Sequence, residues 1–215
     1  YNYVGSPVQQ DASITGSDLG SIVFKYSEGV PFSTNDGLNR WLDASSDELV
    51  PGVGYAQANK GGLSFTGVPN TGTITVSGTY TEDLLDANEG WNLVANPYTA
   101  PIRIDNFITE NDNIVGSLYF WDDNHTPGTR GSNSDYVVVN SVGIVQNSDA
   151  MSSTEFNAFV STSQGFFVKL MDNSDTDIVF TESMRQIGEL NNGQFFRNES
   201  IETIKLNLTS NDGLI

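Results

Sequence analysis

The chain contains no cysteine. Disulfide frameworks, thiol nucleophiles and thiolate metal sites are therefore excluded, although the absence fixes no cellular compartment. Histidine occurs once, as His125 in "DDNHTPGTRG", so a zinc site or hydrolytic triad built on several histidines is excluded too. Lys and Arg together number 9 against 27 Asp and Glu, giving a net charge of −18. Phosphate binding needs a basic face, and nine scattered cations do not make one, which argues against a nucleic-acid partner. No apolar run approaches the roughly 18 residues of a membrane-spanning helix. Charged residues make up only 17% of the chain, below the roughly 25% of ordinary soluble proteins.

The polarity that remains comes from Asn, Ser, Thr, Gly and Asp, the residues of turns and strand edges. With 37% hydrophobic and 11% aromatic residues, this is the composition of an all-β protein with many loops. The 215 residues suffice for one large domain or two small ones. The opening at Tyr1, without Met or a basic-then-apolar leader, reads as a mature or excised segment. Acidity of this degree has two readings: solubility through self-repulsion, or divalent cation binding.

Four short blocks recur in one order. "YNYVGSPV" from Tyr1 matches "WNLVANPY" from Trp91, and "GSIVFKY" from Gly20 matches "GSLYFWD" from Gly116. "PGVGYAQ" from Pro51 then answers "SQGFFVK" from Ser163, and "LSFTG" from Leu63 answers "IVFTE" from Ile178. The offset grows from 90 to 96 to about 111 to about 115, as loop insertions in a second copy would make it. The pattern predicts two related β-sandwich, jelly-roll-like units in tandem. Their expected bounds are residues 1–85 and 86–188, with the linker "EDLLDANEG" between them.

Each block reads as a strand followed by a turn. "WNLVANP" stops at Asn-Pro, "SLYFWDDN" is a short aromatic strand, and "DYVVVN" is β-branched. "QGFFVKLMD" and "DIVFTE" flank "DNSDT", which predicts a hairpin. Helical signals are few: "IRIDNFI" from Ile102, and "SSTEFNAFV" from Ser152 with its capping-box pattern. Residues 189–215 form a separate C-terminal segment in which Ile204, Leu206 and Leu208 alternate as a strand before the turn "SNDG". That segment is expected to pair with residues beyond Ile215 or with a neighbouring subunit, head to tail.

"GWNLVANPYTAPIRIDNF", "LYFWDDN", "YVVVN", "STSQGFFVK" and "FRNESIETIKLNLTSNDGLI", in that order, resemble a module of large secreted surface proteins of Bacteroidota exported by the type IX secretion system. The family typically has Gly where this chain has Ala95, Pro where it has Thr99, and Trp where it has Lys205. The resemblance covers about Gly90 to Ile215, and Tyr1 to Gly67 only through the internal repeat. It implies export to the cell surface or medium, a longer chain, and no catalytic residues.

Three chemical readings compete with packing. Trp41, in the loop-like "LNRWLDASSDE", is the candidate sugar platform, while Trp91 and Trp121 lie in strand motifs and are expected to fill sandwich cores. Trp91 and Tyr1 should anchor equivalent strands, each in its own core. Asp172, Asp175 and Asp177 in "DNSDTD" place oxygens at alternate positions and make calcium the candidate cation, against the reading of a solvated hairpin tip; the spacing is not that of an EF-hand. Paired carboxylates could serve a glycosidase, which needs two acids about 5 to 10 Å apart, yet 27 acids bring some pairs close by chance. The sequons "NHT", "NES" and "NLT" are read as strand-end residues. These features, with the export that the resemblance implies, predict a non-enzymatic, exported structural or adhesion protein, with other surface proteins or a polysaccharide as partners. A carbohydrate-binding module of a secreted polysaccharide-degrading protein is the alternative.

Overall fold

The computed structural model describes residues 2–30, 40–58, 63–82, 89–122, 136–146 and 158–186. Tyr1, His125, the three sequons, the helical signal at Ser152 and the segment 189–215 lie outside the described residues. The first half contributes β1 (Asn2–Val4), β2 (Val23–Tyr26), β3 (Trp41–Asp43), β4 (Tyr55–Gln57) and β5 (Ile74–Ser77). The second contributes β6 (Trp91–Ala95), β7 (Ile102–Arg103), α1 (Ile104–Glu110), β8 (Ile114–Trp121), β9 (Tyr136–Asn140), β10 (Gly143–Gln146), β11 (Phe159–Val160), β12 (Gly165–Leu170) and β13 (Asp177–Phe180). The fold is all-β, and α1 is the single α-helix among the described residues.

The strands form where apolar side chains alternate or run together. β8 sends Leu118 and Phe120 to one side and Tyr119 and Trp121 to the other, as a two-residue period dictates. β12, with "GFFVKL", is apolar on both faces because both are covered. Helix α1 buries Ile104 and Phe107 on one stripe. Its end is tied to β13 by Asn111, whose Nδ2 donates to the Phe107 and Val179 carbonyls while its Oδ1 accepts from the Val179 amide.

Two antiparallel sheets dominate. The first runs β1-β4-β2-β3 and the second β6-β12-β8-β9-β10. The second repeats the first in order and in register. Tyr3 pairs with Ala56 and Leu93 with Phe167; Phe24 pairs with Ala56 and Tyr119 with Phe167; Tyr26 pairs with Trp41 and Trp121 with Tyr136. The correspondence extends to the bridge Thr15–Glu48 and its counterpart Arg103–Phe159, followed by a 3-10 turn at Gly16–Asp18 and by α1 respectively. Leu19 and Phe107, both fully buried, occupy matching places.

Two sequence expectations change. The second block matches at Phe24 with Tyr119, one residue from the alignment that joins Gly20 to Gly116. The difference matters because a one-residue slip exchanges the faces of a strand; the sequence alignment would equate Phe24 with Phe120, which faces a different core. The expected hairpin across "DNSDT" is also absent. Both edges of β12 are already taken, by β6 and β8, so β13 leaves that sheet and pairs with β5.

That pairing crosses the expected boundary. β5 falls within the range 1–85, yet Ile74 and Val76 pack against the core built by the second half, while Asn70 straddles the two, its Nδ2 donating to the Pro97 carbonyl at 2.8 Å and to the Ser6 carbonyl at 3.4 Å. The first core gathers Val4, Leu19, Val23, Leu49 and Tyr55, and the second gathers Tyr98, Phe107, Phe120, Phe166 and Phe180 among others. A third apolar cluster lies between the two sheets.

Candidate functional site

All three tryptophans converge on that third cluster. Tyr3, Phe24, Tyr26 and Trp41 come from the first sheet, and Trp91, Tyr119, Trp121, Tyr136 and Phe167 from the second. Phe167 sits at the centre, with Tyr26 at 5.0 Å, Tyr3 at 5.5 Å and Trp41 at 6.0 Å, each edge-on to it. Such edge-to-face pairs set the positive rim of one ring against the negative face of another. The counterpart of Phe167 in the first sheet is Ala56, so one unit supplies a large side chain at the position where the other leaves room.

These placements revise the readings of individual residues. Trp41 opens β3 and packs on Tyr26 at 5.3 Å, so it belongs to a strand and not to a loop. Trp91 and Trp121 are half-buried in the layer between the sheets and do not fill the core of either half. The reason is register: Val94 and Phe120 take the inward positions on those strands. Lys169 lies over the Trp91 ring at 5.5 Å. The Tyr3 and Tyr136 hydroxyls, one from each sheet, hydrogen-bond at 2.9 Å. Burial, with the neighbouring Tyr136 adding to it, pushes the Tyr3 phenol well above its ordinary range.

Where the sheets meet, each lends backbone to the other. The Gly5 amide donates to the Ser163 carbonyl, and in the matching place the Ala95 amide donates to the Gly52 carbonyl, both at 2.9 Å. Val4 bridges Gln164 as Val94 bridges Val53. Gly5 and Ala95 are themselves counterparts and face each other: a Cβ on Gly5 would lie 2.4 Å from that of Ala95 and 2.8 Å from the Val53 carbonyl. The site has room for one methyl group, which Ala95 supplies.

A buried ion pair reinforces the junction. Arg40 Nη1 lies 2.9 Å from Glu28 Oε2, and both side chains are almost wholly removed from solvent. Glu28 Oε1 accepts the Gly90 amide at 2.7 Å, which ties the first half to the start of "GWNLVANPY". Arg40 also donates from Nε to the Val30 carbonyl and from Nη1 to the Tyr26 hydroxyl. Neither charge stands out in the sequence, because a lone Glu or Arg in a polar stretch looks like surface.

The "NPY" stretch is a corner. Asn96 Nδ2 donates to the carbonyls of Ala100, Val160 and Ser161, and its Oδ1 accepts the Tyr98 amide. The Tyr98 hydroxyl lies 2.7 Å from the Gly72 carbonyl and 2.9 Å from that of Phe180. Burial first, then Glu182, pushes the Tyr98 phenol up to about 12, with Arg185 opposing. A folded-state pKa above the unfolded value near 10 favours folding fully below pH 10, and the contribution is lost as pH rises through the folded value. Stability should therefore fall between about pH 10 and 12, and Tyr98→Phe should flatten that part of the profile. The same variant should cost about 1–3 kcal/mol at neutral pH by leaving buried carbonyls short of a donor. Denaturant melts across the pH series check both effects.

Asp172 and Asp175 lie in the turn before β13 and Asp177 opens that strand, and each carboxylate already accepts a hydrogen bond from the protein. Asp172 Oδ1 accepts the Ser174 amide and hydroxyl, which lowers its pKa. Asp175 Oδ1 accepts the Asp177 amide, and Asp177 Oδ1 accepts from Ser77 Oγ. Among the described residues no group of three or more His, Cys, Asp or Glu side chains is placed to hold a metal ion. A shallow surface recess beside Gln9, Pro51, Asn70 and Thr75 has no ionisable group in its lining. No helix among the described residues is long and apolar enough to cross a membrane.

Neither the curated proteins nor the solved structures contain a match to this chain. One family model matches residues 1–213, nearly the whole sequence, and its description is Domain of unknown function (DUF8693). The chain belongs to that family.

Proposed function

We propose that this chain is a non-enzymatic, exported module built from a duplicated unit, serving as a structural or adhesive part of a cell-surface or extracellular protein. One observation carries the reading. The side chains best suited to ligand work, Trp41, Trp91 and Trp121, are spent on joining the two sheets. The conspicuous "GWNLVANPY" likewise serves as a strand and a corner. The order of motifs resembling type IX secretion cargo supports export, and the net charge of −18 suits a solvated outer surface. Other surface proteins or a polysaccharide are the partners that this reading implies.

A second reading, a carbohydrate-binding module, draws on the partial exposure of the same tryptophans, since a half-open ring can still stack on a sugar face. Two measurements separate the readings. An antibody raised against the chain should stain intact cells of the source organism, and added protease should remove the stain; a signal that appears only after lysis would overturn export. On a glycan array any binding by the parent chain should survive Trp41→Ala. Saturable binding that Trp41→Ala abolishes while leaving the melt unchanged would transfer the assignment to the second reading.

A further inference from the structure

The unequal surroundings of two matching strands point to an assembly mechanism. In the second half, β13 buries Ile178 and Phe180 completely. Its partner is β5, in the register Phe180 with Ile74, Val179 with Thr75 and Ile178 with Val76. β5 is delivered from the first half through Thr71, Gly72 and Thr73, all exposed. The second unit is thus completed by a strand that follows the end of the first.

The counterpart of β13 in the first half is Leu63–Phe65, from the match of "LSFTG" to "IVFTE". Leu63 and Phe65 pack against the first core but stay only half-buried. Among the described residues no strand pairs with them. Their position is that of a β13 whose β5 has been withdrawn. Gly52, which lies against Ile74, Val76 and Phe180, has Ser163 as its counterpart. Both have positive φ, 85° and 61°. Ser163 Oγ is buried and has no hydrogen-bond partner among the described residues.

The sequence holds one more stretch patterned like β5. β5 and the residue before it read Thr-Ile-Thr-Val-Ser (73–77), and residues 203–207 read Thr-Ile-Lys-Leu-Asn. Both alternate apolar with polar, and each follows its "LSF" or "IVF" stretch in chain order. The 16 residues from 187 to 202 can span up to roughly 55 Å when extended, enough to reach beyond their own unit. Lys205 brings positive charge to a partner of net charge −18, which opposes the repulsion between copies.

We infer that Thr203–Asn207 of one copy adds as a strand beside Leu63–Phe65 of a second copy, so that copies join head to tail. This rests on the reading of the chain as a structural module and supplies its mode of assembly. Backbone pairing gives the affinity, and alternate side chains entering the core give the register. The β5–β13 ladder sets that register: Ile204 opposite Phe65, Lys205 opposite Ser64, and Leu206 opposite Leu63. A head-to-tail contact does not close on itself, so the product is an open chain of copies.

The absence of cysteine makes the register directly testable. Opposed residues of an antiparallel pair lie about 4.5–5.5 Å apart at Cα, within disulfide range. The 215-residue chain carrying Ser64→Cys and Lys205→Cys should oxidise to a ladder of dimers and higher species that collapses on reduction. A Ser64→Cys, Asn207→Cys chain should give at least tenfold less. A disulfide within one monomer would overturn the inference, since the segment would then close its own slot, and so would the absence of any bond. Leu206→Asp in the otherwise native chain should abolish association in sedimentation while leaving the melt of the monomer unchanged; undiminished association would equally overturn it. Surface staining is independent of both variants, so a failed ladder on stained cells refutes the strand donation and leaves the structural reading standing.

Discussion

Arg40→Ala should lower the free energy of unfolding by about 3–5 kcal/mol, the range for breaking a buried ion pair by removing one partner. The loss comes less from the attraction given up than from what is left behind. Glu28 would remain with its side chain sealed from water, still accepting the Gly90 amide but without its cation. The Val30 carbonyl and the Tyr26 hydroxyl would lose a donor in the same step. A double variant tests this directly. Arg40→Met with Glu28→Leu removes both charges and should recover much of the loss, because replacing a whole buried pair by apolar groups is often close to neutral. The recovery should be incomplete, since Glu28 also holds Gly90. Equal losses in the single and double variants would mean that the pair contributes through packing alone.

Phe167→Ala should be comparably damaging, at about 3–5 kcal/mol for a buried aromatic truncated to a methyl. Phe167 is the ring on which Tyr3, Tyr26, Trp41, Trp91 and Tyr136 converge. Its neighbours come from both sheets, so the cavity would open between the halves and not within either core. Ala56→Phe, at the counterpart position, should also destabilise, by roughly 1–3 kcal/mol from overpacking. Combining the two substitutions moves the large ring from one sheet to the other. A measurable recovery relative to their sum would identify the layer as complementary in volume.

Much of this architecture was legible in the sequence. The strand order of the second half follows from "GWNLV", "SLYFWDD", "DYVVVN" and "QGFFVK", because alternation and bounding turns mark strands whatever they pair with. The short helix near "IRIDNFI" was legible as a single helical turn. Pairing is different, since it depends on which edges remain free. Nothing in "QGFFVKLMDNSDTDIVF" says that both edges of β12 are occupied, so a hairpin was the natural reading, and nothing marked β5 as the partner of β13. The recurrence of blocks was visible as a pattern. Its offset, however, drops to 88 between Thr15 and Arg103 and reaches 95 between Phe24 and Tyr119, and only the register exposes that one-residue slip.

The site was less legible than the fold. Tryptophans in strands point to burial, but alternation does not distinguish a core within a unit from a seam between units. Glu28 and Arg40 lacked any signal, since their burial is created by chain segments far apart in sequence. Ala95 does have a readable setting. The residue facing it, Gly5, is the equivalent position of the other half, and the two backbones approach too closely for a second methyl group.

The aromatic layer shared by the two sheets should make them one cooperative body. Equilibrium unfolding followed at once by tryptophan fluorescence, which reports the layer, and by far-ultraviolet circular dichroism, which reports all the strands, tests it most directly. Coincident single transitions are expected in the parent chain, shifted together in Phe167→Ala. A fluorescence change that precedes the loss of strand signal, leaving folded halves with an exposed layer, would contradict it.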